Sequence, residues 1–185
     1  MTDRPAQNAA PTPGARRSVV LYPDPVLRRK AAPVGRVDGA VRALVDDMFR
    51  LMDEEEGAGL AAPQVGESLR IFVTGTSERG VPRKAYVNPE LVELTGEFES
   101  MDEGCLSLPD IRGSVRRPTV VTIRALDLDG NEFSETASDF RARVWQHEFD
   151  HLDGVLIIDK MSPLDRLRVR RALRDMKLAA EDGAG

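Results

Sequence analysis

Two histidines and a glutamate stand together in His147-Glu148-Phe149-Asp150-His151. On a helix, residues four apart lie about 40° from each other, on one face. Both imidazoles can then reach one metal ion, and the glutamate beside the first projects within reach of water on that ion. This is the HExxH arrangement of zinc hydrolases. The two histidines are the only ones in the chain. Their place in one motif with a suitable glutamate favours metal binding over imidazoles that merely hydrogen-bond.

Two ligands do not complete a catalytic site, since three protein ligands plus water are usual. No histidine follows His151, and the downstream carboxylates Asp153, Asp159, Asp165, Asp175, Glu181 and Asp182 have no distinctive setting. Upstream, the single cysteine lies in Glu103-Gly104-Cys105-Leu106-Ser107. A lone cysteine is more often a core residue. Beside a histidine pair that lacks a partner, its thiolate becomes a strong candidate ligand for Zn²⁺ or Fe²⁺. A third segment, Gly57-Ala58-Gly59-Leu60-Ala61-Ala62-Pro63-Gln64, is small enough for another backbone to approach, with Gln64 as a neutral amide donor. By composition alone it is a Gly/Ala loop, and it is no phosphate-binding GxxxxGK[ST] pattern.

The helix that must carry the histidines is expected over residues 138–152, ended by Gly154. Phe140, Val144, His147 and His151 fall at i, i+4, i+7 and i+11, so the histidines continue an apolar stripe and should point inward. Trp145, Phe149 and Leu152 make a second apolar patch, and Asp139, Arg143, Gln146 and Asp150 the polar remainder. Glu148 falls between the two apolar regions, where desolvation would raise its pKa and suit it to proton transfer. A first helix is expected over 38–55, with Val41, Leu44, Val45, Met48 and Met52 on one face, Asp38 as N-cap and Gly57 as stop. A last helix is expected over 163–180. Strands are expected at 70–74, 84–88, 91–99, 119–127 and 132–136, with Asp129-Gly130 as a hairpin turn. The fold class is therefore α+β: largely antiparallel sheet around a central HExxH helix, with a C-terminal helix.

A chain of 185 residues has room for one domain with a sizeable core. A net charge of −5 argues against wrapping nucleic acid over the whole surface. No apolar run approaches the roughly 18 residues of a membrane helix. One cysteine excludes an internal disulfide and fits a reducing, intracellular location. Residues 1–17 read as a flexible, solvated tail rather than a transit peptide, for want of an amphipathic pattern. The folded catalytic unit is expected over 18–162, with 163–185 as C-terminal helix and short tail.

Residues 57–64 match GxGLAAPQ, 103–107 match EGCLS, and 146–154 match QHExDHLxG. In this order and at these separations they resemble the three signature motifs of the peptide deformylase family. The resemblance extends from residue 18 to residue 164. It implies hydrolysis of the N-formyl group from the formylmethionine of nascent polypeptides, releasing formate, by a bacterial cytoplasmic enzyme. It implies one divalent ion, Fe²⁺ foremost with Zn²⁺, Ni²⁺ or Co²⁺ able to serve, held by Cys105, His147, His151 and water. Glu148 would be general base and then general acid, and the Gln64 amide and Leu106 N–H would hold the oxyanion. Gly57, Ala58 and Gly59 would hydrogen-bond the peptide, Phe140 and Val144 would border the methionine pocket, and a Glu103–Arg112 pair would brace the cysteine loop. Ala58, Arg143 and Trp145 depart from what the family often has at these positions.

On the C-terminal helix, Arg166, Arg170, Arg174 and Lys177 share a face beside Val169, Leu173, Met176 and Ala180. The resemblance implies ribosome contact there, while the residues alone read equally as a solvated basic face on a packing helix. A monomer is the default. Two readings compete: a broader HExxH peptidase with a downstream ligand, and a protein that uses its metal structurally. The first predicts that Cys105→Ser keeps its metal. The second needs a fourth protein ligand, which neither motif supplies.

Overall fold

A computed structural model describes residues 11–12, 17–76 and 79–182. Helix α1 (Gly39–Glu54) begins where the Asp38 carboxylate accepts from the Ala40 and Val41 amides, at 3.0 Å each. Such a cap satisfies donors that the first turn leaves free. Its expected face is the buried one: Val41, Leu44, Val45, Met48 and Met52 are all at most 1% exposed. They pack on β1 (Gly59–Ala61) and β2 (Ile71–Thr76).

The chain then forms β3 (Val81–Cys105), β4 (Leu108–Leu126) and β5 (Glu132–Ser138). All five strands make one antiparallel sheet in the order β1-β2-β3-β4-β5. The expected strands at 84–88 and 91–99 are parts of a single β3, which runs on to the cysteine. The register shifts at three places between Val87 and Phe98. Such bulges break the two-residue alternation by which a strand is read from sequence. The Asn88 side chain secures one of these breaks, bonding the Val34 N–H and carbonyl at 2.8 Å each.

Helix α2 (Asp139–Leu152) follows β5 directly, with Ser138 at its N-cap position. Ala142, Trp145 and Leu152 bury against the sheet beside the stacked Phe72–Tyr86 pair. At its C-terminal end, Gly154 adopts φ +72, and a Cβ there would stand 2.6 Å from the Arg28 carbonyl, so only glycine fits. A short helix, α3 (Ile157–Lys160), leads into α4 (Pro163–Asp182). Val169, Leu173 and Met176 of α4 lean on Leu108, Ile111, Val115 and Met161. No helix among the described residues is long and apolar enough to cross a membrane.

Two expectations need correction. The segment read as a tail is docked where it is described: the Thr12 amide donates to Glu67, and Arg17 bonds Asp47 and Glu67 at 2.9 and 3.0 Å with its side chain 7% exposed. Composition cannot show that two carboxylates wait for that arginine. Residues 1–10 and 13–16 lie outside the described residues. The supposed polar face of α2 is also half wrong, because Arg143 and Gln146 are each 5% exposed. That face lies on the β3–β4 ribbon, where Glu103 and the Val115 and Pro118 carbonyls meet them.

Candidate active site and metal centre

Two elements bring the ligand candidates together. The turn at Leu106–Ser107 joins β3 to β4 and leaves Cys105 as the last residue of β3. One turn of α2 supplies His147 and His151. The ligand atoms of Cys105, His147 and His151 all lie within 4.8 Å of one another. Cys105 Sγ and His151 Nε2 are 3.3 Å apart. Sulfur and nitrogen ligands on one tetrahedral ion stand about 3.6 Å apart, so the geometry needs only a small opening. The donor set, one thiolate and two imidazoles, fits a soft or borderline divalent ion.

Four of the six downstream carboxylates are engaged elsewhere. Asp153 pairs with Arg70 at 2.8 Å, Asp159 pairs with Arg28, and Asp165 accepts from the Ser114 amide at 3.0 Å. Asp175 pairs along α4 with Arg171.

His147 is oriented from behind. Its Nδ1 lies 3.1 Å from Glu103 Oε2, which turns Nε2 toward the site. Glu103 is 6% exposed and also receives Arg117 through two bonds of 2.7 and 2.9 Å and Arg143 at 2.8 Å. Burial opposes its ionisation, but the bonds from His147 and Arg117 and the Arg117 charge outweigh it. The carboxyl is held well below its usual range. A depressed pKa stabilises the fold above the unfolded value of 4.5, and that stability is lost as pH falls toward the folded value.

Arg112, expected to be this partner, instead meets Asp102 at 2.9 Å on the surface, both side chains being at least 60% exposed. Residues on opposite strands share a face when they pair. Arg117 lies opposite Glu99, and so reaches Glu103 further along the ribbon. Glu103→Gln leaves the buried Arg143 guanidinium without a counter-charge and Arg117 with Asp150 alone, at 2.7 Å, and is expected to cost about 3–5 kcal/mol in urea unfolding at pH 7. Arg112→Ala should behave as loss of an exposed pair, with little effect.

Glu148 is 4% exposed, and its Oε2 has no hydrogen-bond partner. Burial pushes its pKa up to about 7. An acceptor kept dry and unpaired beside two imidazoles is placed to receive a proton. Gly59 makes this possible, since a Cβ there would stand 2.6 Å from Glu148 Oε1. Gly59→Ala should displace the carboxylate and lower kcat about 100-fold, the cost of a misplacement of about 1 Å. An unchanged far-ultraviolet circular dichroism spectrum would show that the fold survives.

Gln64 is fixed at both ends. Its Oε1 accepts from the Ala61 amide at 2.9 Å, and its Nε2 lies 3.3 Å from Ser107 Oγ and 3.6 Å from Cys105 Sγ. The N-terminal segment holds this corner: Val20 N–H donates to the Gln64 carbonyl at 2.7 Å, and Tyr22 N–H to that of Ser107 at 3.0 Å. Ser107 was not singled out in the sequence, although its place in EGCLS was a signal. An open cleft of ≈ 1400 Å³ is lined by Gly57, Ala58, Gly59, Gln64, Glu103, Cys105, Leu106, Arg112, Phe140, Val144, His147 and Glu148. His151, 1% exposed, lies beneath it. Met101 and Arg143 also line it, and neither was a candidate pocket residue.

The polypeptide deformylase family model matches residues 16–167. A peptide deformylase of Acidobacterium capsulatum is 48% identical over 168 residues, covering 89% of this chain and 98% of that protein. One from Pseudomonas aeruginosa is 47% identical over 156 residues, covering 84% and 93%. Among solved structures, the peptide deformylase of Plasmodium falciparum superposes with a TM-score of 0.85 at 38% identity, covering 89% of this chain and 98% of that one. That of Thermotoga maritima gives 0.76 at 40% identity, covering 80% and 99%. With ligand spacing, buried glutamate and sheet agreeing, the chain belongs to the polypeptide deformylase family and is a metal-dependent amide hydrolase that removes N-formyl groups.

Proposed function

We propose that Cys105, His147 and His151 hold the ion with which this enzyme deformylates formylmethionyl peptides, and that Glu148 moves the proton. The observation that carries this is the convergence of the three ligand atoms within 4.8 Å beside a buried, unpaired carboxylate. The bound ion supplies Lewis acidity, polarising the formyl oxygen and acidifying water. The proposed ion is Fe²⁺, with Zn²⁺, Ni²⁺ and Co²⁺ suited to the same donors.

The rest falls to the chain's own residues. β1 is the edge of the sheet, so an extended peptide can add to it along Gly57, Ala58 and Gly59. Phe140 and Val144 offer apolar surface to the methionine side chain. Glu148 takes a proton from the attacking water and returns it to the leaving amine, so that water and formamide become formate and a free N-terminus. The Gln64 amide and the Leu106 N–H hold the developing oxyanion, each such donor being worth about 3 kcal/mol. Formate release from a formyl-Met peptide by protein purified without air tests the reading. It should require metal and vanish on chelation. A metal-loaded, folded protein that releases none would refute it.

The partner of the basic α4 face is proposed to be the ribosome of a bacterial cytoplasm, with the enzyme acting as a monomer. Arg166, Arg170, Arg174 and Lys177 are all exposed. Paired Arg170→Glu and Arg174→Glu changes leave the packed face of α4 untouched. They should weaken co-sedimentation with ribosomes at low salt, and unchanged sedimentation would exclude this contact.

A further inference from the structure

β2 pairs with β3 only as far as Val87. Beyond it, β3 has β4 on one side and no strand on the other among the described residues, so the stretch leading to Cys105 is a two-stranded ribbon. That ribbon carries Met101, Glu103 and Cys105 to the cleft. Two-stranded ribbons twist readily and hold little shape of their own. Its distance from α2 must be set by contacts between them.

Arg143 makes the most central of these contacts. It is 5% exposed, and its guanidinium donates to Glu103 Oε1 at 2.8 Å, to the Val115 carbonyl at 2.9 Å and to the Glu99 carbonyl at 2.9 Å. Val115 is the residue that pairs with Met101 across the ribbon, and Glu99 stands two residues before it. The three bonds therefore bracket Met101. Met101 and Arg143 line the same cleft as Phe140 and Val144 of α2.

Charge balance does not require Arg143. Arg117 alone gives Glu103 a two-bond partner. Two of the three Arg143 bonds go to backbone carbonyls, one on each strand of the ribbon. A planar fork can span two strands in this way, and an ammonium cannot do so equally well.

We infer that Arg143 is a positioning residue for side-chain selection: it holds the Met101 segment at a fixed distance from Val144 and Phe140 and so sets the width of the apolar subsite. The inference rests on the functional reading above, in which that subsite takes the first side chain of the substrate.

The test compares wild type, Arg143→Met, Arg143→Lys and Met101→Ala as metal-loaded enzymes. Kinetics are measured on formyl-Met and formyl-Phe peptides, alongside metal content and thermal melts. Arg143→Met should keep its ion. Its KM for the formyl-Met peptide should rise about tenfold with kcat nearly unchanged, and its preference for Met over Phe should fall about tenfold, as expected for a hydrophobic pocket altered by roughly a methylene. Arg143→Lys should fall between it and wild type, and Met101→Ala should lower the same preference.

An unchanged preference in Arg143→Met would overturn the inference and leave deformylation standing. If Arg143→Met does not fold, an unchanged preference in both Arg143→Lys and Met101→Ala would overturn it equally. A wild type inactive on both peptides would instead bring down the functional reading, and this inference with it.

Discussion

Cys105→Ser protein is expected to lose its bound ion and, with it, all metal-dependent formate release. A serine hydroxyl does not ionise near neutral pH and is a poor ligand where a thiolate is a strong one. The two histidines that remain are one ligand short of a catalytic site. The downstream carboxylates Asp153, Asp159 and Asp165 are committed elsewhere, to Arg70, to Arg28 and to the Ser114 amide and Ser162. The variant should still fold, because Cys105 lies at the end of a ribbon whose packing rests on Leu108, Ile111 and Val115. Metal analysis beside an activity assay checks this. Full metal content in Cys105→Ser would return the third ligand to another residue and revive the peptidase reading.

Glu148→Ala is expected to keep the ion and to lose about 10²–10⁴-fold in kcat, the usual worth of a positioned general base. Loss of rate without loss of metal separates the proton carrier from the ligands. The pH profile should follow the same group. Burial holds the carboxyl up to about 7, and a dication beside it favours the charged form, so the enzyme should lose activity as pH falls below 7 and Glu148 takes up its proton. Burial also makes the ionised carboxylate a cost to folding, one that is absent below about 4.5, grows as pH rises to 7 and is complete above it. Glu148→Ala should therefore be no less stable than wild type in alkaline urea. A variant that keeps most of its activity would show that another base serves.

Much of the site was legible because chemistry and periodicity coincide in α2. Phe140, Val144, His147 and His151 announce both a helix face and a candidate ligand pair, and the burial of Glu148 follows from its place between two apolar regions. The first helix was legible for the same reason, its five apolar positions being its five most buried ones. The long ribbon was legible only in part: 91–99 is expected as a strand, but bulges interrupt the alternation between Val87 and Phe98, and residues 92–100 are exposed throughout, Val92, Leu94 and Phe98 included, so no buried face carries the pattern on to Cys105. The arginines were the hardest to place. Charged residues are read as surface unless a partner is known, and the partner of Arg143 lies 40 positions away. The resemblance names Arg112 as the partner of Glu103, and sequence shows neither the pairing of the ribbon nor which side of it faces the helix, so Arg117 stays hidden. Arg17 was assigned to a tail because its carboxylates are supplied by α1 and by the loop before β2.

The most direct test of the account is the coordination of the ion itself. X-ray absorption on anaerobically purified enzyme, backed by anomalous scattering from its crystals, reads the ligand types without reference to activity. One sulfur at about 2.3 Å and two nitrogens at about 2.0–2.1 Å, with a light atom in the fourth position, are predicted. A sulfur-free shell, or a fourth ligand from the protein that closes the site, would contradict it.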